Sequence, residues 1–443
     1  MAYWTATLEQ TVNRAANGAH LPTTGGFRDW LSLYADHAPA TTNQGSGKVP
    51  FQRWFKFKEA FSPKFVADTV ASVPYEVRHC TDPFAGSGTT ALTCSFLGVS
   101  TTGIEVNPFL ADLVRAKIEP VTSTSLYDAY ARLTSNIQIL DSDQRLPPGM
   151  PATLREPGVN GRHVFSADVF DLVRMLARRL RADGTPEARL IRVLLGSVLV
   201  ENSNVIVNGK GRRYRRGWEG RRRSAAHLMA DLDHAVADAA SDLINFPLRP
   251  AATHALLEGD ARAQLMNAGP TDLALFSPPY PNSFDYTDVY NLELWMLGYL
   301  ERPGDNSSLR NSTLRSHVQI RRAGRATPRR SASLDATLRS LANKSEQLWN
   351  PGIPDMVDAY FEDLDQILTG VAAKLERGKR AIMVVGDCQY AGVHVDVVRI
   401  IEESLAGGPF MLHSRAAVRS MRSSAQHGGA LDLSEHCIVL ERN

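Results

Sequence analysis

Residues 77–105 constrain this chain more than any other stretch. Residues 77–82 read as a core strand, and the turn Phe84-Ala85-Gly86-Ser87-Gly88 then feeds a helix over about Thr89–Leu97. Gly98 ends that helix, and a second strand, residues 100–104, runs into Glu105. Glycines let the backbone approach a ligand closely, and a helix amino terminus favours negative charge. No lysine follows Gly88, which disfavours a triphosphate loop, and the third glycine of a dinucleotide fingerprint is missing. A glycine turn alone says little. A carboxylate at the end of the next strand can accept both hydroxyls of a ribose, so the pair predicts a nucleoside cofactor.

A second strand end completes the pattern. The apolar run 273–276 is stopped by two prolines in Ser277-Pro278-Pro279-Tyr280, neither of which can donate to a sheet ladder. An ordinary strand exit is the plain reading of a bare Pro-Pro. Here the turn presents a hydroxyl, fixed carbonyls and an aromatic ring at the carboxyl end of a strand, where open α/β sheets bind ligands.

Together, Thr81-Asp82-Pro83-Phe84-Ala85-Gly86-Ser87-Gly88-Thr89-Thr90, Glu105-Val106-Asn107-Pro108-Phe109 and Ser277-Pro278-Pro279-Tyr280 resemble the DNA amino-methyltransferases. The Ser-Pro-Pro-Tyr form is most similar to the N4-cytosine members, since Asp or Asn in the first position is commoner among N6-adenine enzymes. The resemblance covers roughly residues 50–120 and 250–300, and more loosely 350–443. It implies an α/β fold, the Rossmann-like seven-stranded sheet of class I S-adenosylmethionine (SAM)-dependent methyltransferases, here with a largely helical insertion. Asp82, Pro83, Phe84, Ala85, Gly86, Gly88, Thr89, Thr90, Glu105, Val106 and Asn107 are then the expected cofactor residues, with Ser277 bordering the same ligand. The resemblance further implies that Phe61 and Ser62 close over the methionine end, and that Asp260 meets the adenine amino group.

Composition supports this and closes other routes. Apolar residues make up 43% and charged residues 22%, as in an ordinary globular chain. No apolar run approaches the ~20 residues of a membrane span, and the amino terminus lacks a signal-peptide profile, so a cytoplasmic location is expected and no membrane partner. Cys80, Cys94, Cys388 and Cys437 lack metal-site spacing, so no metal is expected. None follows a proline, which argues against the nucleophile of C5-cytosine methylation.

Net charge is only +2, so any nucleic-acid signal is local. Lys210, Arg212, Arg213, Tyr214, Arg215, Arg216, Trp218, Arg221, Arg222 and Arg223 crowd into one glycine-loosened loop. A solvated charge run is the alternative; clustered arginines with two aromatics favour phosphate contact and base stacking. Residues 1–48 read as a lead-in. The catalytic domain is expected over 49–119, 251–301 and 351–443. Residues 120–250 are the candidate target reader, and 302–350 a mobile Arg/Ser-rich arm that orders on DNA. Expected helices cover 168–181, 186–202, 225–243, 355–375 and 393–405, with Gly378 ending the fourth and a hairpin, 410–419 with 436–441, closing the sheet. The hairpin's connecting loop, 422–427, is polar and suits DNA or solvent equally.

The chemistry follows from the substrate class. An exocyclic amine is a poor nucleophile because its lone pair is delocalised, so its N–H groups need acceptors. Ser277 and the Pro278 carbonyl supply two, Pro279 stiffens the turn, and Tyr280 offers a stacking face, with Asn282 and Tyr286 as further base-pocket candidates. A base inside a duplex cannot reach such a pocket and must be flipped out. The reading is therefore a site-specific DNA methyltransferase acting on the N4 amine of cytosine. The alternatives are N6-adenine or an RNA base on the same scaffold, and a catalytically inactive nucleic-acid binder. A cognate restriction or defence nuclease stays open as a partner.

Overall fold

The computed structural model describes residues 25–33, 46–57, 59–135, 146–208, 211–247, 252–282, 284–320, 331–421 and 433–443. Eleven strands occur among them: β1 His79–Asp82, β2 Ser100–Glu105, β3 Val205–Asn208, β4 Gly211–Tyr214, β5 His254–Glu258, β6 Thr271–Phe276, β7 Leu375–Gly386, β8 Cys388–Tyr390, β9 Val393–Val395, β10 Phe410–Met421 and β11 Leu433–Arg442. Seven form one sheet in the order β10-β11-β7-β6-β1-β2-β5. The β2, β1, β6 and β7 pairings are parallel, as is β2 with β5, while β11 runs antiparallel to both β7 and β10. One reversed strand slotted beside the edge of an otherwise parallel sheet is the Rossmann-like topology of the class I methyltransferases. The expected fold class is the observed one.

The central strands read as apolar runs because helices cover both faces. Leu273, Ala274, Leu275 and Phe276 of β6, and Ala381, Met383 and Val385 of β7, are fully buried. Helix Thr89–Leu97 begins at Gly88 and stops at left-handed Gly98, whose N–H reaches back to the Cys94 and Ser95 carbonyls. All four cysteines are free and buried. No helix among the described residues is long and apolar enough to cross a membrane.

Between β2 and β5 lie helices Ser123–Thr134, Ala167–Asp183, Pro186–Leu199 and Ala225–Asn245, with the β3–β4 hairpin before the last. This insertion shares a core with the sheet. The fully buried Phe109 packs in one apolar cluster with Leu190, Leu194 and Leu176, and Arg192 sits 3.7 Å over the Tyr299 ring.

Three local expectations are corrected. Helix Ile353–Ala372 stops at Ala373 without Gly378, which lies inside β7, because the chain turns straight into the strand that pairs with β6. The stretch 393–405 splits into β9 and helix Val397–Ser404, since Asp396 caps that helix by accepting from the Arg399 N–H at 3.0 Å. Residues 302–350 are less loose than their composition suggests: Asp305–Asn311 and Ala332–Asn343 are helices, Leu341 is fully buried, and Arg315 pairs with Asp363 at 2.8 Å. Residues 321–330, with most of the arginines of that arm, lie outside the described residues, as do most of 1–48 and all of 422–427.

Candidate active site

β1 and β6 are neighbours although the insertion separates them in the chain, because strand order reverses between them. The glycine turn after Asp82 and the double-proline turn after Phe276 therefore open onto one crevice, the switch point where such sheets bind ligands. A cavity of about 360 Å³ fills it.

One wall is the glycine turn. Gly86 and Gly88 have φ of +52° and +78°. A Cβ on Gly86 would come within 3.2 Å of the Phe57 ring, so the turn lies directly under that aromatic. Beneath it, the fully buried Lys117 donates to the Ser87 carbonyl at 2.7 Å and to Gln52 Oε1 at 3.2 Å. Burial pushes its ammonium down to about 7. The lysine thus supports the turn from behind and does not face the cavity, which it does not line.

Two acids frame the turn. Asp82 accepts from the Phe84 N–H at 3.0 Å and the Thr90 hydroxyl at 2.5 Å. Glu105 accepts from the Gly86 N–H on one oxygen and the Asn107 N–H on the other, both at 2.8 Å. Each Glu105 oxygen keeps capacity for a further donor. Burial pushes Asp82 up to about 6, against the Thr90 hydroxyl and the Phe84 N–H, and Glu105 up to about 7, against its backbone donors. Asn107 starts the next helix by accepting from the Phe109 and Leu110 N–H groups.

Of the expected cofactor residues, Phe61, Asp82, Pro83, Phe84, Ala85, Gly86, Thr89, Thr90, Glu105, Val106, Asn107 and Ser277 border the cavity. Three do not. Gly88 caps its helix. Ser62 spends its hydroxyl on the Phe65 N–H, starting helix Pro63–Ser72. Asp260 turns to Arg262, accepting from its N–H at 3.0 Å and its Nε at 2.9 Å, and the cavity wall there is Gly259 and Ala261.

The opposite wall carries Ser277, Pro278, Pro279, Tyr280, Asn282 and Tyr286. The Pro281 carbonyl accepts from Tyr390 Oη at 2.8 Å and Cys388 Sγ at 3.0 Å, pinning this turn to β8. Tyr280 donates to Glu435 Oε1 at 2.9 Å, and Arg419 Nη2 reaches the same oxygen at 2.7 Å. Burial, then the Glu435 charge, raises the Tyr280 phenol far above its ordinary value, so it stays protonated.

The chain is similar over most of its length to two methyltransferases. It is 26% identical over 424 residues to the Type II methyltransferase M.AvaI of Nostoc sp., covering 85% of this chain and 82% of that one. It is 23% identical over 455 residues to the Type II methyltransferase M.BsoBI of Geobacillus stearothermophilus, covering 90% and 87%. No family model matches the chain. The rRNA methyltransferase AviRa of Streptomyces viridochromogenes superposes with a TM-score of only 0.29 at 10% identity over 98% of this chain and 96% of that one, too loose to add to the topology.

Several cavity residues escaped the sequence reading. Glu59 accepts from Tyr290 Oη at 3.0 Å, and Thr313 enters from the segment taken for a mobile arm. Arg419 and Glu435 come from the closing hairpin. Nothing in the alternation of β11, which also carries Ser434, His436 and Glu441, singles out Glu435 in the sequence.

Among the described residues the basic stretch supplies β4 of the β3–β4 hairpin and the turn after it, with the 3-10 helix Trp218–Gly220, and its arginines divide. Arg215, Arg221 and Arg223 converge on Glu201 at 3.3, 2.7 and 2.8 Å. Arg212, Arg213, Arg216 and Arg222 stay exposed, and the Tyr214 and Trp218 rings lie 5.0 Å apart. β4 packs beside the short helix Tyr286–Val289, whose Tyr286 and Thr287 line the cavity, which puts the hairpin at its rim. Lys210 lies outside the described residues.

Proposed function

We propose that this chain is a site-specific DNA methyltransferase that uses SAM to methylate the N4 amine of cytosine in a flipped-out nucleotide. One observation carries the reading: the glycine turn with Glu105 and the Ser277-Pro278-Pro279-Tyr280 turn line a single cavity. Similarity to Type II methyltransferases supports it.

The residues fit the cofactor. Gly86 is left-handed and a side chain there would crowd Phe57, and Glu105 is a nearly buried acid whose two oxygens can each take a hydroxyl. Phe57 and Phe61 offer apolar cover at the same end. When bound, SAM supplies an electrophilic methyl group on sulfur. Ser277 and the Pro278 carbonyl accept from the target amine and draw its nitrogen toward sp³ geometry, freeing the lone pair. Tyr280 holds the base face, and the anchors at Pro281 and Glu435 hold Tyr280. Such positioning is worth roughly 7–11 kcal/mol in favourable cases. The exposed arginines at the rim neutralise phosphates while the nucleotide is out of the helix.

The test is direct. The protein is incubated with labelled SAM and duplex DNA, the DNA is digested to nucleosides, and the methylated nucleoside is identified. N4-methylcytosine supports the reading. N6-methyladenine overturns the base assignment, and no transfer overturns the activity.

A further inference from the structure

A row of side chains crosses the carboxyl end of the sheet beside the double-proline turn. Arg419 of β10 stands opposite Glu435 of β11, and Glu435 opposite Gly386 of β7. Tyr280 lies against Gly386 and donates to Glu435. Arg419 borders the cavity, and the ion pair with Glu435 fixes its guanidinium there. Its Nε is buried yet finds no acceptor among the described residues. Glu435 itself is nearly inaccessible. A guanidinium is always charged and can only donate, so a buried N–H without an acceptor is a standing cost. An acceptor brought by a ligand would remove it.

We infer that Arg419 is the specificity-determining residue for the target base, donating to the N3 and O2 acceptors of cytosine. This rests on the proposed N4-cytosine reading and goes beyond it. The phenol end of Tyr280 gathers the groups that matter: it donates to Glu435 and so lies beside Arg419, and the Ser277 side chain is within hydrogen-bond reach of the same hydroxyl. A base held over this end of the ring, amine toward Ser277, turns the next positions of its Watson–Crick edge toward the guanidinium. On cytosine that edge carries two acceptors, N3 and then O2. On adenine it carries N1 and then a C–H, which would leave a charged donor facing carbon. A site built to hydrogen-bond a group rejects the analogue that lacks it, because its own polar atom is left unpaired. The Arg419–Glu435 pair thus reads cytosine without taking part in methyl transfer.

Arg419→Lys is the informative variant. It keeps a positive charge beside Glu435, so a merely structural ion pair survives, but it has no counterpart of the Nε–H and no planar fork. The kcat/KM of wild type and variant is compared on duplexes bearing cytosine, 3-deazacytosine (no N3 acceptor) or 2-thiocytosine (a weaker acceptor at position 2) at the target. Wild type should lose about tenfold or more on at least one analogue, and Arg419→Lys about as much on cytosine itself. The variant should lose little further on that analogue, while its SAM Kd and unfolding temperature match wild type. Losses that simply multiply on both analogues overturn the inference. So does an equal loss on all three substrates with a shallower salt dependence of DNA binding, which marks a phosphate contact. If lysine prevents folding, Arg419→Gln, with a neutral donor beside Glu435, is read by the same criteria. Wild-type product identified as N6-methyladenine sinks the underlying reading instead, and the two failures are told apart by that product.

Discussion

Gly386 lies directly against the ring of Tyr280: a Cβ at position 386 would stand 2.6 Å from Tyr280 Cε2, and 2.8 Å from Met421 Sδ. The backbone at Gly386 is not among the positive-φ positions, so alanine is excluded there by crowding alone. Gly386→Ala should push Tyr280 off its position and lower kcat several-fold or more, since misplacement of about 1 Å can cost ~10² in rate. SAM affinity should hold, because residues 86 and 105 are on the other wall. Unchanged kcat in a folded Gly386→Ala protein would remove Tyr280's exact placement from the mechanism.

Ser277 and Tyr280 should separate by what each loses. Ser277→Ala should lower kcat by ~10²–10³ with little change in DNA affinity, because the bond to the amine matters most as nitrogen rehybridises. Tyr280→Phe keeps the ring and loses the phenol's hydrogen bonds with Glu435 and Ser277, so it should retain most activity if stacking is the main role. Tyr280→Ala loses the stacking surface and should bind the flipped base poorly. Single-turnover kinetics on all three variants checks the order, and full activity in Ser277→Ala would take the serine out of the chemistry.

If Glu105 holds the ribose of SAM as proposed, cofactor affinity depends on pH with a definite sign. Burial pushes its pKa up to about 7, and only the ionised group accepts on both oxygens from a ribose. SAM affinity should therefore rise between pH 6 and pH 8 and then level, by up to about tenfold if one proton governs it. Stability runs the other way. A carboxyl raised in the folded state contributes less as pH climbs from the ordinary carboxylate range through about 7. Asp82, raised to about 6, acts in the same direction, while Lys117, lowered to about 7, adds stability as pH rises above that value. Glu105→Gln should bind SAM weakly and with a flat profile across that window. Calorimetry showing an unchanged slope in Glu105→Gln would assign the titration to another group.

The parts of this molecule that local chemistry dictates were readable from the chain. The turn at Gly86 and Gly88, the cap at Gly98, and the two prolines after Phe276 each announce a backbone requirement that few other residues meet. What escaped is tertiary. Nothing local says that Glu435 will stand beside Tyr280, because register between β7 and β11 sets that meeting. Asp260, which the resemblance sets against the adenine amino group, accepts in this structure from Arg262 two residues later, a partner that no local pattern announces. Composition misjudged residues 302–350 for a similar reason: Leu334 and Leu341 suffice to dock helix Ala332–Asn343 on an existing core, which Leu314 joins as well.

The basic hairpin yields the last prediction, and the structure sharpens it. Charge count alone treats its arginines as equivalent, yet Arg215, Arg221 and Arg223 are held by Glu201, whose carboxylate they depress below its usual range against the opposing effect of burial. Arg215 also donates to the Val200 and Val205 carbonyls at 3.0 Å, tying the hairpin to the helix before it. Replacing it should loosen the hairpin and lower the unfolding temperature. Arg212, Arg213, Arg216 and Arg222 are exposed, the first two on β4 beside the cavity. Their joint replacement by alanine should leave the unfolding temperature and SAM affinity alone. It should weaken DNA binding and flatten the plot of log affinity against log salt by up to ~0.9 per lost phosphate contact. The comparison of the two sets is the decisive measurement. If the exposed four leave the salt slope untouched while Arg215→Ala reduces DNA binding, the hairpin acts through its shape, and the exposed charges are solvated surface.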